Sequence, residues 1–243
     1  MASVIEVRNF AKSFGTKIVH RDVNMNVEHG ECVGLIGGSG AGKSVILRSL
    51  IGLERADSGD VIVLGENLRN LNEKQLIPLR QRVAYVFQGG ALFDSMTVAD
   101  NLAYPLREHT DMTYKEIMRK VSQTLDNFGL RGTEKVMPAE LSGGMQKRVG
   151  LARAIIIGPE IVLFDEPTAG LDPFNTKQIQ LKILELKKQN VTSILVTHDM
   201  PTASAVCDRL YLLLDGRVGD HGTVTELTTK KGLMSQFING DQE

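Results

Sequence analysis

Apolar and polar residues follow distinct patterns along the chain, and each pattern predicts a different element. Residues 4–7 alternate apolar and charged side chains, which is typical of a half-buried strand, and residues 24–27 favour the same structure. Residues 32–36 form a nearly continuous apolar run that ends in glycines, as a buried strand of a parallel sheet does. The apolar residues within 44–51 are spaced for one face of a helix.

The same order of patterns returns further along the chain. Residues 161–164 indicate a second buried strand, residues 173–190 have helical spacing, and residues 193–196 form another apolar run. A strand, a helix and a strand at this spacing imply a right-handed crossover and a parallel sheet. The chain is therefore predicted to have an α/β fold.

The stretch between these two regions is mainly helical in pattern. It covers residues 89–154, and its longest helical pattern is at residues 113–128. We therefore expect a single domain, residues 1–243, in which residues 89–154 form an inserted helical subdomain. The segments 1–88 and 155–243 are expected to form the α/β core with its β subdomain.

A two-residue turn near the C-terminus gives a strong hairpin signal. Asp215-Gly216 separates the apolar run 210–214 from Arg217-Val218. Asp-Gly suits the hairpin turn in which both central residues need positive φ. An antiparallel strand pair is therefore predicted here.

Charge and composition narrow the classes of protein to which the chain can belong. Lys and Arg number 28 and Asp and Glu 29, so no basic excess indicates a nucleic-acid partner. No apolar run approaches the roughly 20 residues that a membrane-spanning helix needs, and residues 1–10 lack the apolar core of a signal peptide. Cys32 and Cys207 are too few for a disulfide framework or a zinc site and are expected to be small buried residues. We expect a protein that stays in the cytoplasm.

Residues 37–44 read GGSGAGKS and fit the phosphate-binding pattern G-x-x-x-x-G-K-[ST]. The context also fits, because a buried strand precedes the pattern and an amphipathic helix follows it. Glycines let backbone N–H groups surround phosphate oxygens, Lys43 is expected to reach the β and γ phosphates, and the Ser44 hydroxyl to ligate Mg²⁺. The nucleotide-binding residues predicted here are Gly37, Gly38, Ser39, Gly40, Ala41, Gly42, Lys43 and Ser44.

Two carboxylates, Asp165 and Glu166, end the strand predicted at 161–164. The carboxyl ends of parallel strands are where such sheets bind ligands. Asp165 suits a direct or indirect hold on Mg²⁺, and Glu166 is placed to polarise a water molecule as a general base. Acidic residues commonly end strands, so the pair gains its meaning from the phosphate-binding loop in the same chain.

A second anion-binding pattern occurs inside the predicted helical insert. The string LSGGMQKR covers residues 141–148, and Ser142 has the position of an N-cap for the helix that follows. A serine hydroxyl and free amides at a helix start form a site for anions. A capped helix usually has only a structural role. The string LSGGMQKR is nevertheless distinctive enough to favour an anion-binding function.

The three motifs together resemble the ATP-binding-cassette (ABC) ATPase family, and the likeness covers nearly the whole chain. It implies a P-loop NTPase (RecA-like) α/β core, an N-terminal antiparallel β subdomain and an inserted α-helical subdomain. It also implies an ATP hydrolase that uses ATP and Mg²⁺ and works as a head-to-tail homodimer. In such a dimer Ser142, Gly143 and Gly144 of one chain cover the ATP held by the other.

The resemblance assigns further roles residue by residue. Phe14 resembles the aromatic residue that stacks on adenine, where the family more often has tyrosine. Gln88 resembles the glutamine that senses Mg²⁺ and the attacking water, and His198 resembles the histidine that holds the γ-phosphate. Asp172 ends a loop, 169–172, that resembles the one contacting the opposite monomer. The implied catalytic residues are Glu166, His198, Gln88 and Lys43, and the implied metal ligands are Ser44, Gln88 and Asp165. The remaining histidines, expected at the surface, are His20, His29, His109 and His221.

The spacing of the motifs separates branches of the family. Only 52 residues lie between Gln88 and Leu141, which leaves no room for the long coiled coils of the chromosome-maintenance and repair branch. The chain has one cassette, unlike the tandem translation-associated branch, and no membrane helices, unlike the fused exporters. It therefore fits a stand-alone transporter ATPase that needs separate permease subunits.

Residues 87–110, FQGGALFDSMTVADNLAYPLREHT, resemble the ATPase subunits of Mla/MCE-type phospholipid transport systems of Gram-negative bacteria. This likeness implies permease subunits of the MlaE type and an MCE-domain substrate-binding protein. It is also compatible with a STAS-domain regulator, and it implies no nucleic-acid partner. It places the protein peripherally on the cytoplasmic face of the inner membrane. Importers of amino acids or metals share part of the segment, so an importer of a small polar solute stays an alternative. Retention of Glu166 and His198 opposes a third reading, a non-hydrolysing clamp or regulator.

Overall fold

The computed structural model describes residues 3–229 and 232–239. It contains two compact units. The first, called the N/C unit, comprises residues 1–80 and 180–243, and the second, called the central unit, comprises residues 81–179.

The elements are numbered in chain order. The strands are β1 (Ser3–Phe14), β2 (Lys17–Glu28), β3 (Cys32–Ile36), β4 (Ser58–Val63), β5 (Glu66–Asn67), β6 (Val83–Val86), β7 (Ile161–Asp165), β8 (Thr192–Val196), β9 (Arg209–Leu214) and β10 (Arg217–Thr223). The α-helices are α1 (Lys43–Ser49), α2 (Glu73–Arg82), α3 (Val98–His109), α4 (Tyr114–Asn127), α5 (Gly143–Ile155), α6 (Pro173–Lys188), α7 (Met200–Val206), α8 (Val224–Thr229) and α9 (Leu233–Asn239). Within the described ranges, no helix combines the length and the hydrophobicity that crossing a bilayer requires.

The N/C unit has a sheet with an antiparallel side and a parallel side. Its strand order is β5-β4-β1-β2-β10-β9-β3-β8. Strand β1 pairs antiparallel with β2 and β4, whereas β3 pairs parallel with both β8 and β9. All five residues of β3 are buried, as its continuous apolar run predicts. The carboxyl ends of β3 and β8 therefore meet at one edge of the sheet.

The predicted hairpin at Asp215-Gly216 is confirmed. Strands β9 and β10 pair antiparallel around it, with Leu214 opposite Arg217. Asp215 and Gly216 have φ values of 47° and 73°, as the two central residues of this turn require.

One histidine prediction is wrong. His20 is fully buried on β2, whereas His29, His109 and His221 are exposed as expected. The His20 ring packs beside Phe10, with 5.5 Å between ring centroids, and it lies against a residue without a side chain, Gly42. The space left by that glycine accommodates the ring in the core.

The cysteines follow the prediction. Cys32 and Cys207 are free and buried, and their sulfur atoms lie 3.9 Å apart.

The central unit combines two parallel strands with helices α3, α4 and α5 and the beginning of α6. Strands β6 and β7 pair in register from Val83 opposite Ile161 to Val86 opposite Phe164. The helix predicted at 113–128 is α4, and Thr113 begins it with a reciprocal capping box.

Residues 89–97 are not helical, although the pattern predicts mainly helix there. The buried side chain of Asn101 explains this difference. Its amide donates to the carbonyls of Phe93 and Met96, before the helix, and to the Thr97 carbonyl, which also accepts the Asn101 backbone N–H at the start of α3. The side chain thus stabilises a non-helical backbone in this segment.

Candidate functional site

The loop at residues 37–42 joins β3 to α1 and folds around a lysine. Lys43 is only 7% exposed, and its Nζ donates to the carbonyl oxygens of Gly37 at 2.8 Å and Gly38 at 2.9 Å. The loop is closed by a hydrogen bond from the Ala41 N–H to the Gly38 oxygen. A positive charge is therefore held against the loop that is expected to bind phosphates.

The outer face of this loop is open. A Cβ added at Gly38 or Gly40 would meet no atom within 4 Å, so that space is available to a ligand. Ser39 between them is exposed. The loop thus has the shape of a cradle whose inner side is buried and whose outer side is accessible.

A cleft of about 470 Å³ lies beside the loop. Its walls are loop residues 38–41, the β1–β2 hairpin and the β9–β10 turn, and the hairpin contributes Lys17 and Arg21. Phe14, at the end of β1, is 45% exposed, and Lys12 Nζ lies 5.0 Å from its ring centroid. Cationic side chains and an available aromatic face suit a nucleotide.

His198 follows β8 by two residues and is exposed. Because Leu35 of β3 pairs with Val196 of β8, the phosphate-binding loop and His198 leave the sheet at the same edge. The N/C unit therefore contains three of the predicted features, and two of them, the loop and His198, lie at the same sheet edge.

The central unit contains the predicted acidic residues. Gln88 follows Val86 and Glu166 follows Phe164, each by two residues, and these two strand ends are paired in register. Asp165 is the last residue of β7 and is 9% exposed, whereas Gln88 is exposed. Parallel pairing thus places an amide and two carboxyl groups at one sheet edge.

The two carboxylates differ in how they are held. The Tyr85 hydroxyl donates to Asp165 Oδ2 at 2.7 Å, which orients this carboxylate. Glu166 has a φ of 50°, a left-handed conformation that non-glycine residues seldom adopt and that concentrates at functional sites. Glu166 therefore follows a sharp turn after the strand instead of continuing it.

Ser142 is the N-cap of α5, as predicted. Its hydroxyl accepts the Met145 N–H at 3.3 Å, and its carbonyl accepts the Gln146 N–H at 2.9 Å. Ser142 and Gly143 are exposed and Gly144 is buried. The turn therefore presents its first two residues to the outside.

Asn175 connects this turn with the loop that ends at Asp172. A Cβ on Gly144 would lie 2.4 Å from Asn175 Cγ, so only glycine permits this contact. The Asn175 backbone N–H donates to Asp172 Oδ1 at 2.9 Å, and its side-chain amide donates to Asp172 Oδ2. The backbone hydrogen bond from Asn175 is the main cause that lowers the pKa of Asp172. Asp172 thus stays ionised at the start of α6.

Lys147 provides a second connection inside the central unit. Its Nζ donates to the Ala169 carbonyl, in the loop between Glu166 and Asp172. Burial lowers the pKa of Lys147, while the charge of Glu166 opposes that shift. The helix that begins at the Ser142 turn is therefore bonded to the segment that follows the general-base candidate.

The residues that sequence reasoning missed are His20, Tyr85, Lys147 and Asn175. The partner of Asn175 carries a signal in the sequence, because an Asp directly before a helix start, as at Asp172, is a preferred N-cap that accepts a backbone N–H. Tyr85 and His20 carry no such signal, since their partners lie 80 and 22 residues away.

The donor types suit Mg²⁺ bound together with phosphate. A serine hydroxyl (Ser44), a carboxylate (Asp165) and a side-chain amide (Gln88) are hard oxygen ligands, and Mg²⁺ usually takes few protein ligands beside substrate phosphates. Within the described ranges no cluster of three or more His, Cys, Asp or Glu residues forms a metal site.

A separate exposed surface lies on the segment after Gln88. Phe93 and Tyr104 are 41% and 39% exposed, and their ring centroids are 5.1 Å apart. The Arg153 guanidinium lies 5.1 Å from the Phe93 ring centroid and donates to the Ala91 carbonyl at 2.8 Å. We call Phe93 and Tyr104 the aromatic pair; α5 supports it through Arg153.

Comparison with known families and proteins shows the family of the chain. The family model for ABC transporters matches residues 20–169. A probable ribonucleotide transport ATP-binding protein, mkl, from Mycobacterium leprae is 41% identical over 99% of this chain and 70% of that protein. The intermembrane phospholipid transport system ATP-binding protein MlaF from Escherichia coli is 36% identical over 99% of this chain and 90% of that protein.

Solved structures confirm the predicted fold class. The dimeric cassette MJ0796 in a post-hydrolysis state, bound to ADP and Pi, has a TM-score of 0.84 and 29% identity, over 90% of this chain and 98% of that one. The cassette cbiO1 from Clostridium perfringens, part of a transporter complex, has a TM-score of 0.85 and 26% identity, over 95% of this chain and 92% of that one.

Proposed function

The chain belongs to the ABC transporter family, as an ATPase subunit that uses ATP and Mg²⁺, and from this premise we propose that its transporter moves phospholipid. The protein is an ATP hydrolase. We further propose that it acts as a homodimer bound to integral-membrane permease subunits, peripherally on the cytoplasmic face of the inner membrane.

The observation that carries the lipid assignment is the segment at residues 87–110. It resembles the corresponding segment of Mla/MCE-type ATPases, and it bears the exposed aromatic pair. The likeness to MlaF over 99% of the chain supports the same assignment. The mkl proteins of mycobacteria, at 41% identity, support a second candidate, the transport of ribonucleotides. A ribonucleotide is one form of the small polar solute that the sequence leaves open.

The proposed residue roles are those that the family resemblance implies. Backbone N–H groups of the loop and Lys43 bind the phosphates, and Phe14 stacks on the adenine. Ser44 in the N/C unit and Asp165 and Gln88 in the central unit would supply oxygen ligands to Mg²⁺, which would neutralise charge on the phosphates. Glu166 accepts a proton from the attacking water, and His198 donates to the γ-phosphate.

The exposed turn at residues 142–144 is assigned to the second chain's nucleotide. Ser142 and Gly143 present a hydroxyl and free helix-start amides outward, and such groups bind phosphate. Asp172 is exposed as well, which suits contact with an opposite monomer. ATP binding then closes the dimer and hydrolysis opens it.

The aromatic pair is the proposed docking surface for the permease. Two exposed rings on a polar surface are typical of an interface anchor. Asn101 and Arg153 join the backbone of this segment to α5, so movement at the permease would reach this helix and the turn at residues 142–144. An MCE-domain substrate-binding protein and a STAS-domain regulator complete the proposed system.

Purification of the assembled transporter from membranes tests the lipid assignment. Mass spectrometry should find permease subunits and bound phospholipid, and phospholipid vesicles should raise the ATPase rate of the reconstituted complex while ribonucleotides should not. Recovery of a solute-importer permease, or a rate raised by ribonucleotides alone, would contradict the assignment.

A pair of variants tests the docking surface in the same preparation. Phe93→Ala should lose the permease during purification and keep basal ATP hydrolysis. Tyr114→Ala removes a ring that is 69% exposed at the start of α4, outside the aromatic pair, and should keep the permease. Equal retention of the permease by both variants would remove the aromatic pair as its docking site.

A further inference from the structure

His20 contacts the phosphate-binding loop from within the core. It is fully buried on β2, although its neighbours Val19 and Arg21 line the cleft. Its Nε2 lies 3.1 Å from the carbonyl oxygen of Gly42, the residue before Lys43. A buried imidazole therefore makes a polar contact with the loop at the point where α1 begins.

Gly42 is the residue on which the loop geometry depends. It has a φ of 90°, in the left-handed region, and its carbonyl also accepts the N–H of Val45 at 2.9 Å, the first bond of α1. A Cβ at Gly42 would lie 2.5 Å from His20 Nε2 and 2.5 Å from Val19 Cγ1. The backbone of the loop is thus packed directly on the side chains of β2.

The hydrogen on His20 can be assigned from its partner. A carbonyl oxygen only accepts hydrogen bonds, so Nε2 must carry the hydrogen. The Nδ1 atom is buried without a hydrogen-bond partner in the described part of the chain, which is a cost that an apolar side chain of similar size would avoid. Burial lowers the pKa of His20, which keeps the ring neutral. Donation to Gly42 is therefore what the histidine adds to the core.

We propose that His20 is a positioning residue for nucleotide binding, because its Nε2–H holds the Gly42 carbonyl and thereby the loop that presents Lys43 and Ser44 to the phosphates. Strand β2 also pairs with β1, and Phe14 is opposite Lys17. One strand pair thus carries the stacking ring and holds the phosphate loop. Since ATP and ADP share the phosphates next to this loop, both nucleotides depend on His20.

Three variants test the proposal by calorimetry with MgADP and by steady-state hydrolysis. His20→Leu should weaken MgADP binding and raise KM for ATP by about threefold to tenfold, as the loss of one neutral hydrogen bond predicts. At saturating ATP, kcat should change by less than about twofold, because a high ATP concentration fills the binding site despite the lower affinity. His20→Gln, which places an amide donor near the position of Nε2, should restore most of the affinity.

Phe10→Leu is the packing control, since it removes the ring beside His20 and keeps the donor. It should lower Tm and leave MgADP affinity unchanged. Unchanged affinity in His20→Leu, or an equal loss of affinity in Phe10→Leu, would overturn the positioning role.

Nitrogen-15 NMR of the full chain gives a test that needs no variant. With labelled histidine, the His20 ring should carry its hydrogen on Nε2, and its signals should shift when MgADP is added. A hydrogen on Nδ1, or ring signals that ignore MgADP, would contradict the proposal even if His20→Leu fails to fold.

Discussion

The phosphate-binding loop and the turn at residues 142–144 both contain glycines at the start of a helix, yet they are held differently. Lys43 is nearly buried on two loop carbonyls, and His20 packs against the loop from the core. Ser142 and Gly143 are exposed, and the Ser142 hydroxyl caps its own helix.

This difference indicates what each turn needs from outside its own chain. The loop has a fixed inner side and an open cradle beside a 470 Å³ cleft, and we infer that one chain suffices to bind a nucleotide. The turn at 142–144 has no comparable cradle among the contacts described above and presents its donors outward. We infer that it acts on a nucleotide held by a second chain.

The largest expected effect is at Glu166, in the same unit as the turn. Glu166→Gln removes the proposed general base and leaves the loop intact, so hydrolysis should fall by about 10²–10⁴-fold. Affinity for ATP should be kept and a closed dimer should accumulate. Phosphate release and nucleotide binding, measured together, check this, and hydrolysis at the original rate would remove Glu166 as the base.

Ser142→Arg separates the two turns. The added bulk and the lost hydroxyl should lower hydrolysis by about 10²-fold, the size expected for losing donors to a developing charge. Binding of ATP to the monomer should survive, as calorimetry on dilute protein can show. If the Ser142→Arg monomer lost its affinity for ATP, the turn at residues 142–144 would contribute to the nucleotide site of its own chain, against the inference above.

Thr113→Arg is the matched control for loss of a helix cap, because Thr113 is an exposed N-cap on α4. It should lower Tm and leave hydrolysis unchanged. A loss of hydrolysis equal to that of Ser142→Arg would assign the effect to helix capping.

Tyr85→Phe tests how the carboxylate of Asp165 is held within the central unit. It removes the hydroxyl that orients Asp165, so the Mg²⁺ concentration for half-maximal hydrolysis should rise by about threefold to tenfold, the equivalent of one hydrogen bond. A Mg²⁺ titration of the rate measures this. An unchanged half-maximal concentration would show that Asp165 is held without Tyr85.

Asn175→Ala should give the smallest effect. The pKa of Asp172 is lowered chiefly by the backbone N–H of Asn175, which the variant keeps, and next by its side-chain amide, which the variant removes. The Asp172 pKa should therefore rise part of the way toward its ordinary value. A lowered carboxyl pKa stabilises the folded state at neutral pH, and this stabilisation is lost as pH falls through the folded-state pKa. The two proteins should therefore differ slightly in stability at neutral pH and converge in acid. An NMR titration of Asp172 reads the change, and an unmoved pKa would contradict the contact.

The loop, the acidic pair and the 142–144 turn could be predicted because each is a local pattern. Residues 37–44 need only the strand before them and the helix after them, and the Asp215-Gly216 hairpin depends on two adjacent residues. The likeness to a known family then connected motifs that are far apart in sequence.

The contacts that orient these motifs could not be predicted, because their partners are distant in sequence. His20 was expected at the surface, and nothing in its neighbourhood shows that Gly42 leaves space for its ring. Tyr85 reaches Asp165 only because β6 and β7 pair in register. Residues 89–97 are not helical, and the Asn101 side chain donates hydrogen bonds to backbone carbonyls of this segment. Sequence patterns therefore predict the chemical groups, and tertiary contacts determine how those groups are held.

Crosslinking between two differently tagged chains tests directly whether the turn at residues 142–144 of one chain reaches the phosphate-binding loop of another. One chain carries Ser39→Cys in its loop, the other carries Ser142→Cys, and both carry Glu166→Gln so that the ATP-bound state persists. With MgATP and a short bifunctional thiol reagent, we expect a crosslinked dimer that contains both tags. Without nucleotide, no such product should form. In a chain that carries both cysteines, a crosslink confined to single chains would contradict the account, since it would place the turn over its own loop.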